Sequence, residues 1–553
     1  MRPREEIRAA IAAACAARGW PVEEIAVERP KDPAHGDWAT PVALALARPL
    51  KRPPREIGEA LVETLELDPD RYSAVEVAGP GFVNVRLSPA YLREAVARIL
   101  ADPAGFLHSD RLAGRSINVE FVSSNPTGPL HVGHARNAAL GDAIAALYEA
   151  QGADVDREYY FNDAGRQMDI LGASIHARYR QLWEPDYPFP EEGYRGAYIR
   201  DLAEEVRETE GERFRDVEPE ACLEFFRRFA GERMTASIKS DLERFRVAFD
   251  RWFNESSLYA DGSLEKTLED LREAGAIYEK DDAVWLRASA YGDTEDRVLV
   301  KSTGMPTYLL PDIAYHRDKH ERGYDRAVDV WGADHHSYQV RMQAALKALG
   351  YPPRWLETII YQQVSLIEDG QEVRLSTRRN RMVTLRELMD DIGVDVTRYF
   401  LLMRKGDTHM TFDLDLAREQ SEENPVYYVQ YAHARIAGVF TKLERPEFDP
   451  CASEALPAPG IFARLVEDRE IELMRTLEDL PDVIADAAES LEPHRLTDAL
   501  ETLARRFHLW YHHHRFLVED EDLARARLAL ARATQRALAE TLAILGVSAP
   551  ESM

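Results

Sequence analysis

"NVEFVSSNPTGPLHVGHARNAALGDAIAAL", Asn118 to Leu147, joins three kinds of local pattern in one short stretch. Ile117 to Ser124 is an apolar run that reads as a buried central strand. The turn "NPTGPLHVG" carries two prolines and two glycines, which set its path and let backbone approach a ligand closely. A helix begins near His134, puts Leu140, Ile144 and Leu147 on one face and has a stop signal at Gly152. A strand, a glycine turn and a helix N-terminus together make an anion site, because free N–H groups and the helix dipole attract phosphate. His131 and His134 stand at that junction, placed to donate hydrogen bonds to a phosphoryl group gaining charge in a transition state. A zinc pair is the weaker reading, since the two sit three apart across a turn, without the i, i+4 helical spacing of HExxH. Two merely packed histidines would leave the prolines and glycines unexplained.

Working outward, strand-like runs alternate with helices from about residue 111 to 410: "INVEFVS", "VDREYYF", "AVWLR", "RVLVKS", "RAVDVWG" and "LETIIYQQVSLI". That rhythm predicts an open, doubly wound parallel sheet covered by helices, a Rossmann-like α/β domain. Long charged helices interrupt it at about 175–275 and read as an insertion. Residues 1–110 mix helical and strand patterns and predict a small α+β domain. Over 411–553 strand signals vanish; Leu496, Leu500, Leu503, Phe507 and Tyr511 trace one apolar helical face, so a helix bundle is expected. The chain of 553 residues is too long for one core, and no apolar run is long enough to span a bilayer. The three cysteines, Cys15, Cys222 and Cys451, form no CxxC pair, which argues against a disulfide framework and fits a reducing cytoplasm. A net charge of −28 counts against nucleic-acid binding by bulk electrostatics but leaves room for one basic face.

"HVGH" resembles the HIGH signature of class I aminoacyl-tRNA synthetases, and "FVSSNPTGPLHVGHARN" resembles the arginyl-tRNA synthetase family in particular. "REYYFNDAGRQMDILG", "KSTGMPTYLLPDIAYHRDK", "DVWGADHHSYQVRM" and the stretch from Val396 to Ile436 are similar to the same family, as is the tail ending "LGVSAPESM". The resemblance spans nearly the whole chain. It implies a HIGH-type nucleotidyl transferase that activates L-arginine with ATP and Mg²⁺ and passes it to the terminal ribose of an arginine tRNA. No protein-held structural metal is implied, and the expected form is a cytoplasmic monomer.

The resemblance also implies roles for residues. His131 and His134 would stabilise the transition state, and Pro126, Gly128, Gly133, Gly332 and Asp334 would contact ATP. Glu120, Ser124 and Asn125 would grip the head group of arginine, with His336 on its ammonium side. Tyr308 and Asp312, one helical turn apart, would recognise the guanidinium; without the family context they would read as an ordinary strand-end pair. A planar fork of donors is well matched by a carboxylate beside a hydroxyl. The family's second signature, KMSKR, is altered here to "RLSTRRNR", with Thr377 where a lysine is expected. Arg374, Leu375, Ser376 and Arg378 are the residues expected to serve in that loop. Phe82 and Asn84 of the N-terminal domain would meet an unstacked base of the tRNA elbow, though Phe82 reads equally as core. Tyr428, Tyr431 and Arg435 would stack on anticodon bases. The alternative is a divergent tRNA-binding protein whose altered loop has weakened or abolished the chemistry.

Overall fold

The computed structural model describes residues 2–30, 32–163, 165–373, 383–452 and 458–553. These group into two compact units, one of residues 1–106, 435–480 and 502–537, the other of 107–434, 481–501 and 538–553.

The first unit holds a three-stranded antiparallel sheet in the order β1 (Trp38–Thr40), β3 (Phe82–Leu87), β2 (Tyr72–Ala78). Alternation along β3 buries Val83, Val85 and Leu87 and leaves Phe82 39% exposed, so Phe82 is not core. The opening helix, Pro3–Ala17, buries Ile7, Ile11, Ala14 and Cys15 along one stripe, as its pattern predicts. In the helix His494–His513, Leu496, Leu500, Leu503 and Phe507 are all fully buried, while Tyr511 emerges at the edge of that face.

The second unit is built on a five-stranded sheet in the order β11 (Leu356–Tyr361), β10 (Arg326–Gly332), β4 (Ser116–Glu120), β5 (Asp154–Phe161), β6 (Arg251–Asn254). Every pairing in it is parallel. In chain order that is 5-4-1-2-3, the doubly wound arrangement whose reversal lies between β4 and β10. Ligands bind at such a reversal because the crossovers leave in opposite directions and open a crevice at the strand ends. The central strands β4 and β10 are buried almost throughout, as strands covered on both faces must be.

Three expectations need correction. "AVWLR" and "RVLVKS" become β8 (Ala283–Leu286) and β9 (Arg297–Val300), which with β7 (Ile277–Lys280) form a separate antiparallel sheet. The reason is local: β7 and β8 are joined at Asp281 and Asp282, both with positive φ (54° and 56°), as a two-residue hairpin turn requires. A parallel neighbour would need a crossover of a dozen residues or more. "LETIIYQQVSLI" splits at Gln362 and Gln363 into β11 and β12 (Val364–Glu368). The buried guanidinium of Arg136 pins the break, donating to the Gln362 carbonyl at 2.7 Å, and β12 joins β13 (Gln371–Glu372) and β14 (Met410–Asp413) in a third sheet. The apolar run of the opening stretch leaves the sheet at Glu120, earlier than Ser124, because Val122 and Ser123 adopt φ of 65° and 40°.

Helices Arg166–Gln181, Ala197–Glu210 and Pro219–Arg244 pack on a core of their own around Leu171, Ile175, Tyr179, Ile199 and Phe226. Strand β6 returns to the main sheet within the range read as an insertion.

Candidate active site

At the strand ends lies a cavity of about 1250 Å³. Its first wall is the opening stretch. Helix α1 (Val132–Glu149) is capped by His131, whose Nδ1 accepts from the Gly133 N–H at 3.1 Å, while the His131 N–H points at Nδ1 of His134 at 3.4 Å. The two rings stack at 3.7 Å. In both, Nδ1 is an acceptor, so the neutral ring carries its proton on Nε2, away from the backbone. Burial lowers the pKa of both, and for His134, taken to about 3, the neighbouring His131 adds to it. Two neutral N–H donors therefore face a helix N-terminus. A Cβ at Gly133 would lie 2.9 Å from the His131 ring, so any larger residue would displace it.

The turn before the helix is strained with a purpose. Val122, a β-branched residue, is held at its positive φ by its N–H donating to Asn137 Oδ1 at 2.8 Å. The chain reversal that results points Ser123 Oγ at Glu120, 2.9 Å away, and lines the cavity with Ser124 and Asn125. Asn125 donates to Gln167 at 2.7 Å.

The opposite wall comes from helix α2 (Leu309–Glu321) and the start of helix α3 (His336–Ala348). Asp312, on the first turn of α2, is half-buried and accepts the Tyr338 hydroxyl. Burial pushes its pKa up to about 7, against the pull of Tyr338 and His316. Glu255, the first residue of helix Glu255–Ala260, is buried and also raised by burial. Asp312, Glu255 and the hydroxyls of Tyr160 and Tyr338 thus form an acidic pocket end with room for a planar cation.

Glu120, Ser124, Asn125, His131, Gly133, His134, Tyr308, Asp312, Gly332 and Asp334 all line this one cavity. Pro126, Gly128 and His336 do not; Pro126 is buried, Gly128 packs under Tyr198, and His336 is exposed while His335 takes the lining position. Tyr308 lines the cavity but is 80% exposed, and the hydroxyl that meets Asp312 belongs to Tyr338. Arg374, Leu375, Ser376 and Arg378 lie outside the described residues. In the other unit, Phe82 and Asn84 line a second cavity, of about 520 Å³, with Arg29 and His35. Tyr428 and Tyr431 are half-buried on the helix Pro425–Thr441, and Arg435 bonds Nδ1 of His508 at 2.9 Å. No group of three potential metal ligands occurs among the described residues.

Sequence reading missed Tyr160, Glu255, Tyr338 and the charged groups beneath the floor. Asp312, His316 and Lys319 do share a helical face at i, i+4 and i+7, a legible signal of a buried polar stripe. Glu255 has no local signature at all.

A reversal point of a parallel sheet, opened by an HxGH helix N-terminus bearing two neutral histidines, defines a class I aminoacyl-tRNA synthetase catalytic domain. Residues 96–418 match the family model for the catalytic domain of class I (R) tRNA synthetases. Residues 4–87 match the arginyl tRNA synthetase N-terminal domain, and 429–553 the DALR anticodon binding domain. The chain belongs to the arginyl-tRNA synthetase family. It is 46% identical to the arginine–tRNA ligase of Geobacillus kaustophilus, over 100% of this chain and 98% of that one. Against the arginine–tRNA ligase of Bacillus subtilis the identity is 43%, with the same coverage. The Thermus thermophilus arginyl-tRNA synthetase structure shares the fold, with a TM-score of 0.79 at 23% identity over the full length of both chains.

Proposed function

We propose that the cavity binds arginine lengthwise, guanidinium at Asp312 and Glu255 and α-ammonium at Glu120, Ser124 and Asn125, with ATP along His131–His134 and Gly332–Asp334. The chain is an ATP-dependent arginine–tRNA ligase: it forms arginyl-adenylate and pyrophosphate, then transfers arginine to the 3′-terminal ribose of its tRNA. The observation that carries the residue assignments is one cavity with a buried acidic end and a helix N-terminus presenting two neutral donors. As the arginine carboxylate attacks the α-phosphate, negative charge grows on the phosphoryl oxygens. The Nε2–H groups of His131 and His134 are already oriented and cost no reorganisation, the condition under which such donors are most effective. Each is neutral, so it loses no proton in donating. Glu120 holds the ammonium and so directs the carboxylate towards the phosphate. Mg²⁺ bound with the nucleotide would neutralise phosphate charge.

The division at 1–110, 111–410 and 411–553 assigns the tRNA elbow to Phe82 and Asn84 and the anticodon to Tyr428, Tyr431 and Arg435. Arg374, Leu375, Ser376 and Arg378 serve the second ATP loop, with Pro126 and Gly128 shaping the first. The family resemblance implies a cytoplasmic monomer. No described helix is long and apolar enough to cross a membrane. The comparisons do not favour a binding-only protein. Arginine-dependent ATP–pyrophosphate exchange, run with and without arginine tRNA, tests the reading. Exchange that requires tRNA is expected; full-rate exchange without it would remove the tRNA requirement, and none under either condition would return the binding-only alternative.

A further inference from the structure

At the ammonium end of the cavity Glu120 belongs to a closed group of charges whose members Asp329, Lys319 and His316 the chemistry above does not use. Glu120 and Asp329 occupy directly paired positions on the adjacent parallel strands β4 and β10, so two carboxylates stand side by side at the strand ends. Both are buried, and two like charges so placed cannot both stay ionised without cations. Helix α2 supplies two. Lys319, 0% exposed, donates to Glu120 Oε2 at 2.6 Å and to Asp329 Oδ1 at 2.9 Å. One turn earlier, His316 meets the other Asp329 oxygen through Nε2 at 2.7 Å and the Asp312 carbonyl through Nδ1 at 2.7 Å. Both partners accept, so both ring nitrogens carry protons and the ring is cationic. The remaining charges facing the cluster are Glu158 on β5, satisfied by a two-pronged contact with Arg322, and the carboxyl of Asp312. Tyr315 adds a neutral hydroxyl, 3.2 Å from Glu158.

We propose that Lys319, which does not line the cavity, is a positioning residue for substrate recognition: its ammonium keeps Glu120 ionised beside Asp329 and ties down Oε2, leaving the carboxylate oriented for the arginine α-ammonium. This rests on the reading that Glu120 grips that ammonium. Without the lysine, one carboxylate of the pair must take up a proton. Asp329 keeps its His316 contact, so Glu120 is the one neutralised. The arginine site then loses its anion at one end while the guanidinium end and the ATP wall stay intact.

The test compares the wild type, Lys319→Met, Lys319→Arg and Glu120→Gln in aminoacylation of arginine tRNA. L-argininic acid, in which a hydroxyl replaces the α-ammonium, is the competitive probe. For Lys319→Met at pH 7, the arginine KM is expected to rise about tenfold or more, the scale of a lost charge-assisted contact. The ATP KM and the Ki of argininic acid should move less than about threefold, within the noise of small repacking. Lys319→Arg, which keeps the charge, should recover part of the arginine KM. A rise in KM and Ki together would mean general damage to the pocket and would overturn the proposal. So would a Glu120→Gln enzyme selectively weakened for arginine beside an unaffected Lys319→Met. If Glu120→Gln itself leaves the arginine KM unchanged, it is the assignment of Glu120 that fails. Should Lys319→Met not fold, Lys319→Gln, which keeps a hydrogen-bond donor but not the charge, takes its place; the same selective rise is expected, and an unchanged arginine KM would overturn the proposal.

Discussion

At the scale of single residues, the active site works by deciding where protons are. The cap geometry assigns Nδ1 of His131 and His134 to the backbone and leaves Nε2–H as the donor, the group proposed above to meet the phosphoryl oxygens. Replacing His134 by Ala removes one pre-oriented donor and should lower kcat of adenylate formation by about 10²–10³, the typical cost of losing such a donor, with substrate KM values nearly constant. Pyrophosphate exchange under saturating substrates checks this. Asp312 gives a pH prediction. Its carboxyl is raised to about 7 by burial, whereas a bound guanidinium needs the carboxylate. Arginine binding must therefore displace a proton below that pH, and kcat/KM for arginine should fall as pH drops through about 7. Asp312→Asn should bind arginine poorly and show no such limb; a wild-type profile flat from pH 6 to 8 would remove Asp312 from the guanidinium site.

At the scale of elements, buried arginines do the joining. Arg398, fully buried on the helix Leu385–Leu402, donates to Asp142 on α1 at 2.5 Å and to the carbonyls of Phe245 and Leu545 at 2.9 Å each. It thereby clamps the helix that presents the histidines. Asp142→Ala leaves a buried guanidinium without its counter-charge and should destabilise the protein by about 3 kcal/mol or more, read as an earlier unfolding transition in denaturant. Much at this scale was legible. The strand–turn–helix junction at residues 118–147 was readable because each piece has a distinct period and the turn is punctuated by Pro and Gly. The pairing of β7 and β8 was not, since a short apolar run looks alike in a parallel sheet and in a hairpin, and only the left-handed Asp281–Asp282 turn distinguishes the two.

For the whole molecule, the difficulty is an acidic protein that must hold a polyanion. A net charge of −28 leaves little general attraction for tRNA, so recognition should lean on local contacts such as aromatic platforms. Phe82, exposed beside Asn84 in its own cavity, is the platform proposed above. Phe82→Ala should raise the KM for tRNA about tenfold, the order expected for one lost base stack, while the arginine KM stays unchanged. Aminoacylation with varied tRNA separates the two constants. An equal change in both would mean that Phe82 matters to folding rather than to tRNA.

By itself the sequence determined the class of domain and the anion-binding junction, because these depend on residues close together along the chain. Which hydroxyl meets Asp312, that Glu255 shares its pocket, and that Lys319 lies between Glu120 and Asp329 were decided only by the tertiary structure. Glu255 comes from the far edge of the sheet, Tyr338 from a helix after β10, and Glu120 and Lys319 are 199 residues apart. No local period encodes such meetings. They follow from the strand order, which sets β4 against β10 and lays α2 across both, and from the need of buried charges to find partners of opposite sign.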